Sequence, residues 1–400
     1  MSGTLIFTIL CALAAVGYVA GRQKAASASG GDPTILHSLT GYHGWGVALA
    51  SFLAGVAIFC VLKLLATWIP FLGGSVLVSI LVPSGAIAAF AYSYLQIDAK
   101  FRARNYVEKM ILGLLITASS IAILTTLAIV LSMVSETLRF FSQYTWHEFF
   151  FGLNWAPNFR GNSDLGMLPL LWGTLYVSLI ALAVAVPIGL FSAIYLVEYA
   201  SPRVRSFAKP AIEILAGIPT IVYGLFALIT VGPILRDYFA QPMGLGQSSA
   251  SVATAGIVMG IMLIPFVSSL SDDIINAVPR AMRDGSLGLG ATKSETIKKV
   301  VIPAALPGIV GAILLAASRA IGETMIVVLG AGAAARMSLN PFEAMTTVTV
   351  KIVSQLTGDT DFASPETLVA FALGITLFVF TLGLNVLALY IVRRYREQYE

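Results

Sequence analysis

The sequence predicts an all-α integral membrane protein. Of its 400 residues, 58% are hydrophobic and only 11% are charged, and the mean hydropathy is +0.88. A soluble domain carries roughly 25% charged residues, so most of this chain must face lipid or other apolar helices. About nine apolar runs are long enough to cross a bilayer, and each is predicted to be helical because backbone polar groups in hydrocarbon need partners within the chain. The runs are Thr4–Ala20, Trp45–Ile69, Phe71–Ile97, Met110–Val134, Leu168–Val197, Ala211–Leu235, Ala250–Leu270, Ala304–Ala331 and Thr367–Val392.

Clusters of lysine and arginine residues lie on every second connection between these runs. Cytoplasmic connections of membrane proteins are enriched in these two residues, so the basic connections are predicted to share the cytoplasmic side. This alternation places the N-terminus outside and the C-terminus in the cytoplasm. The basic groups are Arg22 and Lys24; Lys100, Arg102, Arg104 and Lys109; Arg203, Arg205 and Lys209; Arg280, Arg283, Lys293, Lys298 and Lys299; and Arg393, Arg394 and Arg396.

The scarcity of histidine and cysteine argues against enzymatic or metal chemistry. The chain has three histidines, and its two cysteines, Cys11 and Cys60, lie in apolar runs. This pattern suits buried thiols rather than a disulfide framework or a metal site. The net charge of +4 is small, and no basic stretch resembles a nucleic-acid surface. We therefore predict no enzyme, no catalytic residue, no metal site and no nucleic-acid partner, with lipid as the surrounding medium.

The apolar runs predict two regions. Residues 1–105 form an N-terminal extension with about three transmembrane helices, in which the small-residue segment Gly21–Gly31 is predicted to be a loop. Residues 106–400 form a six-helix transmembrane domain with a large cytoplasmic loop at about 272–302. An outer connection, Arg336–Glu366, is predicted to hold an amphipathic helix around Phe342–Leu356.

The large cytoplasmic loop contains a spacing pattern that resembles the EAA loop of ABC-transporter permeases. In that pattern Glu-Ala-Ala is followed by three residues, a glycine, nine residues and Ile-x-Leu-Pro. Gly290 occupies the glycine position, and Val300, Ile302 and Pro303 are conservative replacements at the end of the pattern. The triplet Asp284-Gly285-Ser286 keeps the acid but departs from the two alanines, which lowers helix propensity there.

The resemblance implies that a short helix at Ala281–Leu289 docks on a separate ATPase. Gly288–Ser294 is not a phosphate-binding loop, because Thr292 rather than glycine precedes Lys293. ATP and magnesium would therefore bind to a partner ATPase, and this chain would carry no cofactor. The alternative is an ordinary amphipathic helix at the lipid surface. The candidate coupling residues are Ala281, Met282, Asp284, Gly285, Leu287, Gly288 and Gly290.

A second stretch, Ser318-Arg-Ala-Ile-Gly-Glu-Thr-Met325, resembles the signature of phosphate permeases of the PstC type. The resemblance covers roughly residues 110–395 and leaves the N-terminal extension outside. It implies a type I ABC importer permease fold, with a MetI-like six-helix core and about three extra N-terminal helices, in the bacterial plasma (inner) membrane. It also implies a phosphate substrate, a PstA-like second permease, a PstB-like ATPase dimer and an extracytoplasmic PstS-like phosphate-binding protein.

Arg319 and Glu323 are the candidate pathway residues of this stretch. They are four residues apart, so on one continuous helix they would share a face. Charges deep in a span are costly and usually line a polar pathway, and an arginine fork matches phosphate oxygens. Ser318 and Thr324 add hydroxyl groups nearby. The alternative is a purely structural ion pair between helices.

Other charged residues are predicted to be architectural. Glu198 and Glu213 are expected to pair with the basic residues at 203–209, and Asp272 and Asp273 are expected to contact the cytoplasmic loop. Two functional alternatives stay open from the sequence. One is a permease for another oxyanion, such as molybdate or sulfate, and the other is an ATP-independent channel or secondary carrier.

Overall fold

The computed structural model describes residues 3–30, 36–69, 71, 75–158, 163–358 and 363–396. Within these residues, nine helices are long and apolar enough to span a membrane, which confirms the predicted number. The chain divides into two compact units, residues 1–127 and residues 128–400. The described part of the first unit contains α1 (Gly3–Ala28), α2 (Thr40–Ala66) and α3 (Ser75–Leu95), which pack on one another.

Close backbone contact joins α1 to α2. A Cβ atom on Gly44 would lie 2.6 Å from the carbonyl oxygen of Tyr18, so only glycine allows this approach. The same packing explains a wrong prediction, since α1 continues through 21–28 rather than ending before a loop. Alanine-rich sequence favours helix, and Gly21 and Ala25 are buried on this extra length. Gly31, the last residue of the predicted loop, lies outside the described residues.

Helix α4 (Ala103–Gln143) contains the point at which the two units divide. It is 41 residues long, and no residue of its most apolar stretch is buried. A helix that is apolar on every side requires lipid or another protein around it.

An aromatic cluster follows α4 in the second unit. It includes α5 (Trp146–Phe151) and a short antiparallel hairpin of β1 (Trp155–Ala156) and β2 (Asp164–Leu165). Phe140 and Phe149 are fully buried, with ring centroids 5.4 Å apart in an edge-to-face arrangement. These rings belong to a hydrophobic cluster that the connection shares with buried residues later in the chain, including Leu170, Val348 and Leu373.

The rest of the second unit is mostly helical in its described residues, with four π-helical turns. Two of the predicted apolar runs are interrupted, the sixth at residues 217–219 and the eighth at Gly322. The helices are α6 (Leu168–Ile194), α7 (Pro202–Ala216), α8 (Thr220–Phe226), α9 (Gly232–Leu235), α10 (Val252–Ala277), α11 (Arg280–Gly288), α12 (Lys293–Thr296), α13 (Ile302–Ile321), α14 (Met325–Gly330), α15 (Val348–Gly358) and α16 (Pro365–Arg396); the π-helical turns are Tyr195–Tyr199, Ala227–Val231, Arg236–Ala240 and Ile297–Val301.

Helix α10 is the most buried of the spanning helices and packs closely on α6. Cβ atoms added to Gly256 and Gly260 would lie 2.7 Å from the Cβ atoms of Ile180 and Val184. Small residues four apart thus let the two backbones approach, as glycine pairs do in membrane helices. The buried residues of α10 and α6 form part of one hydrophobic core, which includes Val177, Ala181, Ala255 and Met259.

Two helices differ from the sequence prediction. The sixth span begins at Thr220 instead of Ala211, because α7 is a separate amphipathic helix with no buried residue. Helix α15 begins at Val348 rather than near Phe342. The residues before it are not helical, and Met345 and Thr346 donate backbone hydrogen bonds to the carbonyl oxygens of Ala331 and Ala334.

Candidate functional site

Helix α11 occupies the predicted coupling segment. It starts after Pro279, whose fixed φ suits the position before a first helical turn, and it ends at Gly288. Gly290 has a φ of +86°, a conformation that favours glycine, and it turns the chain away from α11. Thr292 and Glu295 then form a reciprocal capping box at the start of α12. The motif therefore defines a short helix with a sharp turn after it.

One face of α11 points outward. Met282 is half-buried and packs against the apolar cluster at the ends of α6, α10 and α13, whereas the other predicted coupling residues are exposed. Cβ atoms added to Gly285 and Gly288 would meet no atom within 4 Å. The outward face thus offers small residues and apolar side chains to a partner. The exposed predicted residues are Ala281, Asp284, Gly285, Leu287, Gly288 and Gly290.

Arg283 ties α11 to the transmembrane helices. Its Nε donates to Glu198 Oε1 at 3.2 Å, and its two terminal nitrogens donate to the carbonyl oxygens of Val278 (2.7 Å) and Ile275 (2.6 Å). These carbonyls close the end of α10, and Glu198 lies on the π-helical turn after α6. A single guanidinium therefore joins three elements, with both ionic side chains largely buried. These contacts of Arg283 were not predicted from the sequence.

Asp272 binds α7 to α10 through a second ionic cluster. Its carboxylate is 2% exposed and accepts from Arg205 Nη2 at 3.0 Å and from Lys209 Nζ at 2.7 Å. The hydrogen bond to Asp272 raises the pKa of Lys209 above its ordinary value. The predicted pairings of Glu198 and Asp272 are therefore wrong and in fact exchanged, because Glu198 contacts the cytoplasmic loop and Asp272 contacts the basic residues of α7.

The eighth span is broken at the predicted pathway motif. Helix α13 ends at Ile321, and Glu323 lies in the gap before α14. The Glu323 carboxylate accepts from the backbone N–H groups of Met325 (3.1 Å) and Ile326 (3.5 Å), which stabilises the start of α14. The expectation that Arg319 and Glu323 share one helical face is wrong, because Gly322 ends the helix between them.

The other residues of the motif surround this break. Ser318 accepts a backbone hydrogen bond at its carbonyl from the N–H of Gly322, and the Thr324 hydroxyl lies 3.5 Å from the Gly322 carbonyl oxygen. The Glu323 carbonyl accepts from the Thr349 hydroxyl at 2.9 Å. Non-helical backbone at membrane depth is tolerated only where it is buried in protein or lines a cavity, so this break marks a specialised part of the span.

Arg319 lies at a cavity of about 350 Å³ between α7, α8, α10 and α13. Its guanidinium lies 5.9 Å from the ring centroid of Phe266. No ion pair of Arg319 is present among the described residues, so the guanidinium is free to accept an anion. Ser318, Glu323 and Thr324 do not line this cavity. The lining residues are Glu213, Ala216, Ile218, Thr220, Met262, Pro265, Phe266, Ser269 and Arg319.

Comparison with known proteins assigns the chain to a family. Residues 185–397 match the family described as "Binding-protein-dependent transport system inner membrane component". The chain belongs to this family. Residues 7–70 of the permease match a second family, described as "Phosphate ATP-binding cassette transporter". The N-terminal extension, which the resemblance to PstC-type permeases leaves outside, thus has a match of its own.

Two relatives and one solved structure indicate how far the similarity extends. The permease is 32% identical over 247 residues to the "Probable ABC transporter permease protein YqgH" of Bacillus subtilis, covering 62% of this chain and 78% of the relative. It is 36% identical over 248 residues to the "Phosphate transport system permease protein PstC 1" of Mycobacterium tuberculosis, covering 57% of this chain and 72% of the relative. A bacterial alginate ABC transporter is 16% identical, with a TM-score of 0.50 over 71% of this chain and 95% of that one. The last similarity supports the predicted permease fold.

Proposed function

We propose that the permease is one transmembrane subunit of an ATP-driven phosphate importer and forms half of the translocation pathway. The observation that carries the substrate assignment is the unpaired Arg319 guanidinium at a cavity within the described membrane domain. Arginine binds oxyanions through two parallel N–H groups, and it stays charged at any physiological pH. The relatives named as phosphate permeases and the extension's match to a phosphate transporter family support the same substrate.

The driving force comes from a separate ATPase in this proposal. The outward face of α11 is the docking surface, since its small and apolar residues suit insertion into a groove. ATP and magnesium bind to that partner, which carries out hydrolysis. The remaining partners are a second, PstA-like permease, a PstB-like ATPase dimer and a PstS-like phosphate-binding protein outside the membrane.

In this proposal, movement of α11 is transmitted to the pathway by two groups of ionic contacts, those of Arg283 and those of Asp272. Arg283 joins α11 to the end of α10 and to the turn after α6, and Asp272 joins α10 to α7. Helices α7 and α10 both contribute residues to the cavity at Arg319. A displacement of α11 by the ATPase therefore changes the position of the cavity walls, which opens or closes the path of the anion.

The orientation follows from the basic connections. The permease lies in the bacterial plasma (inner) membrane with its N-terminus outside and its C-terminus in the cytoplasm. This places α11 on the cytoplasmic side, where ATP is available.

Uptake by cells that lack this chain tests the proposed function. Deletion of its gene is expected to reduce uptake of radiolabelled phosphate and to leave uptake of sulfate and molybdate unchanged, and re-expression restores phosphate uptake. Loss of sulfate or molybdate uptake with unchanged phosphate uptake would replace phosphate by another oxyanion. Purification of the re-expressed chain without any nucleotide-binding subunit would contradict the ATP-driven mechanism.

A further inference from the structure

Lys351 is a half-buried cation without a counterion among the described residues. It lies on α15, and its side chain makes no hydrogen bond or ion pair within the described part of the chain. Burial lowers the pKa of the Lys351 ammonium, because the charged form loses hydration and no carboxylate of that part compensates for it. A bound anion would supply the missing charge.

The surroundings of Lys351 on its own helix are polar. Gln355 lies four residues after it on α15, which places the two side chains along one face, and Thr347 lies immediately before the first residue of α15. Thr347 is 2% exposed and Gln355 is 3% exposed, and Gln355 Oε1 has no hydrogen-bond partner among the described residues. Unsatisfied buried polar atoms are uncommon in folded proteins, and a protonated oxygen of phosphate would supply the donor that this acceptor lacks.

Hydrogen bonds connect the start of α15 to the break in the eighth span. The Thr347 and Thr349 hydroxyls lie 3.0 Å apart, and the Thr349 hydroxyl donates to the Glu323 carbonyl at 2.9 Å. A chain of hydrogen bonds therefore extends from the start of α15 through two threonines to the Glu323 carbonyl, and the backbone N–H of Lys351 joins it by donating to the Thr347 carbonyl at 3.2 Å. We define this anion track as Lys351, Thr347, Thr349 and Glu323.

The connection that contains α15 follows the eighth span and precedes the ninth. In the proposed orientation it lies on the outer side, where a phosphate-binding protein releases its ligand. A lysine that only anchored the chain at the lipid surface would extend its ammonium into water. Lys351 is instead half-buried beside buried polar side chains.

We propose that Lys351 is an anion-binding residue at the outer entrance of the pathway and that it attracts phosphate before Arg319 binds it. The ammonium group is a mobile point charge with three donors, which suits transient capture better than the rigid arginine fork does. This inference rests on the proposed function, because it takes phosphate as the transported anion.

Restoration of the charge by chemical modification tests this proposal. Cys11 and Cys60 are replaced by serine, and Lys351→Cys is introduced into the complete transporter in proteoliposomes that contain ATP. Lys351→Cys is expected to raise the phosphate concentration for half-maximal uptake by about tenfold, the effect of roughly one charge-assisted hydrogen bond. Aminoethyl methanethiosulfonate restores a primary ammonium and lowers the value again. Sulfonatoethyl methanethiosulfonate adds a negative charge and should raise the phosphate concentration for half-maximal uptake further. Methyl methanethiosulfonate adds no charge and should leave that concentration at the value of the cysteine variant.

Two further variants separate charge from structure. Lys351→Arg should leave the phosphate concentration for half-maximal uptake unchanged. Lys351→Gln should raise that concentration to the same extent as the cysteine variant does. Arg336→Gln is the matched control, since Arg336 lies on the same connection but is exposed and pairs with Glu343 at 3.6 Å. Its uptake should equal that of the unmodified transporter.

The outcomes that overturn the inference are distinct from those that overturn phosphate import. Equal phosphate uptake by all Lys351 variants and derivatives overturns the role of Lys351 and leaves phosphate import standing. A Lys351→Cys transporter that aminoethylation does not restore, together with an inactive Lys351→Arg, also overturns it, because the residue is then structural. Absence of phosphate uptake by the unmodified transporter overturns both proposals.

Discussion

Arg283 and Glu198 form an ion pair at 3.2 Å, with side chains that are only 17% and 11% exposed. The two residues are 85 positions apart in the chain; Glu198 lies at the end of a transmembrane segment, and Arg283 lies on the short helix that follows another. The pair places α11 directly against the turn that follows α6. Motion of α11 therefore cannot occur without either moving α6 or breaking a largely buried charge pair.

Replacing Arg283 with alanine should uncouple ATP hydrolysis from transport. The substitution leaves Glu198 buried without its counterion, which costs about 3 kcal/mol, the lower end of the range for buried pairs. We expect less phosphate transported per ATP hydrolysed, measured in proteoliposomes with both quantities recorded together. Arg280→Ala is the control, since Arg280 is exposed on the same helix. An unchanged ratio in the Arg283 variant would contradict this role.

Replacing Asp272 with asparagine should release α7 from α10. The change removes the charge that Arg205 and Lys209 share, so the basic residues of α7 become accessible. Tryptic cleavage at Arg205 in the purified transporter should become several times faster. The neighbouring Asp273→Asn should have little effect, since Asp273 is 70% exposed and lies 3.7 Å from Lys209. Equal cleavage rates in the two variants would exclude Asp272 as the anchor.

Two substitutions at Gly285 should separate a change that retains ATPase docking from one that prevents it. Its position faces open space, so neither change disturbs the packing of the permease itself. Gly285→Ala should stabilise α11 by about 1 kcal/mol and retain the ATPase, because alanine favours helix. Gly285→Trp should prevent insertion into a groove. Co-purification of the ATPase measures both, and equal recovery with alanine and tryptophan would mean that this face of α11 is not the docking surface.

Replacing Arg319 with glutamine should remove the main anion contact of the cavity. Charge-assisted hydrogen bonds contribute about 1.5–3 kcal/mol, so phosphate uptake should fall by roughly 10- to 150-fold. Arg319→Lys should restore part of the activity, since it keeps the charge but loses the fork. Uptake and ATPase activity are measured on the same preparation. Phosphate uptake at the level of the unmodified transporter would mean that Arg319 is structural.

The positions of the transmembrane spans and of the short helix α11 could be predicted from local sequence. Apolar runs of sufficient length predicted the nine spans found among the described residues, because the bilayer imposes that length directly. The glycine and proline spacing around Gly290 and Pro303 placed a short helix where α11 lies, since turns and helix starts depend on nearby residues.

Contacts between distant segments did not follow from the sequence. The partners of Glu198 and Asp272 were exchanged, because hydropathy places both residues near the cytoplasmic ends of spans without revealing which helices are neighbours. The break at Gly322 was also missed. A glycine in an apolar run is compatible with a continuous helix, and only the hydrogen bonds of Glu323 to the start of α14 reveal the interruption.

ATP-driven phosphate uptake by the reconstituted transporter tests the central claim most directly. Proteoliposomes that contain this chain, its partner permease, the ATPase and the phosphate-binding protein are loaded with ATP and supplied with labelled phosphate, sulfate or molybdate. The proposed function predicts accumulation of phosphate that requires ATP and is not competed by the other two anions. Accumulation of sulfate or molybdate in place of phosphate, or phosphate entry that is independent of ATP, would contradict it.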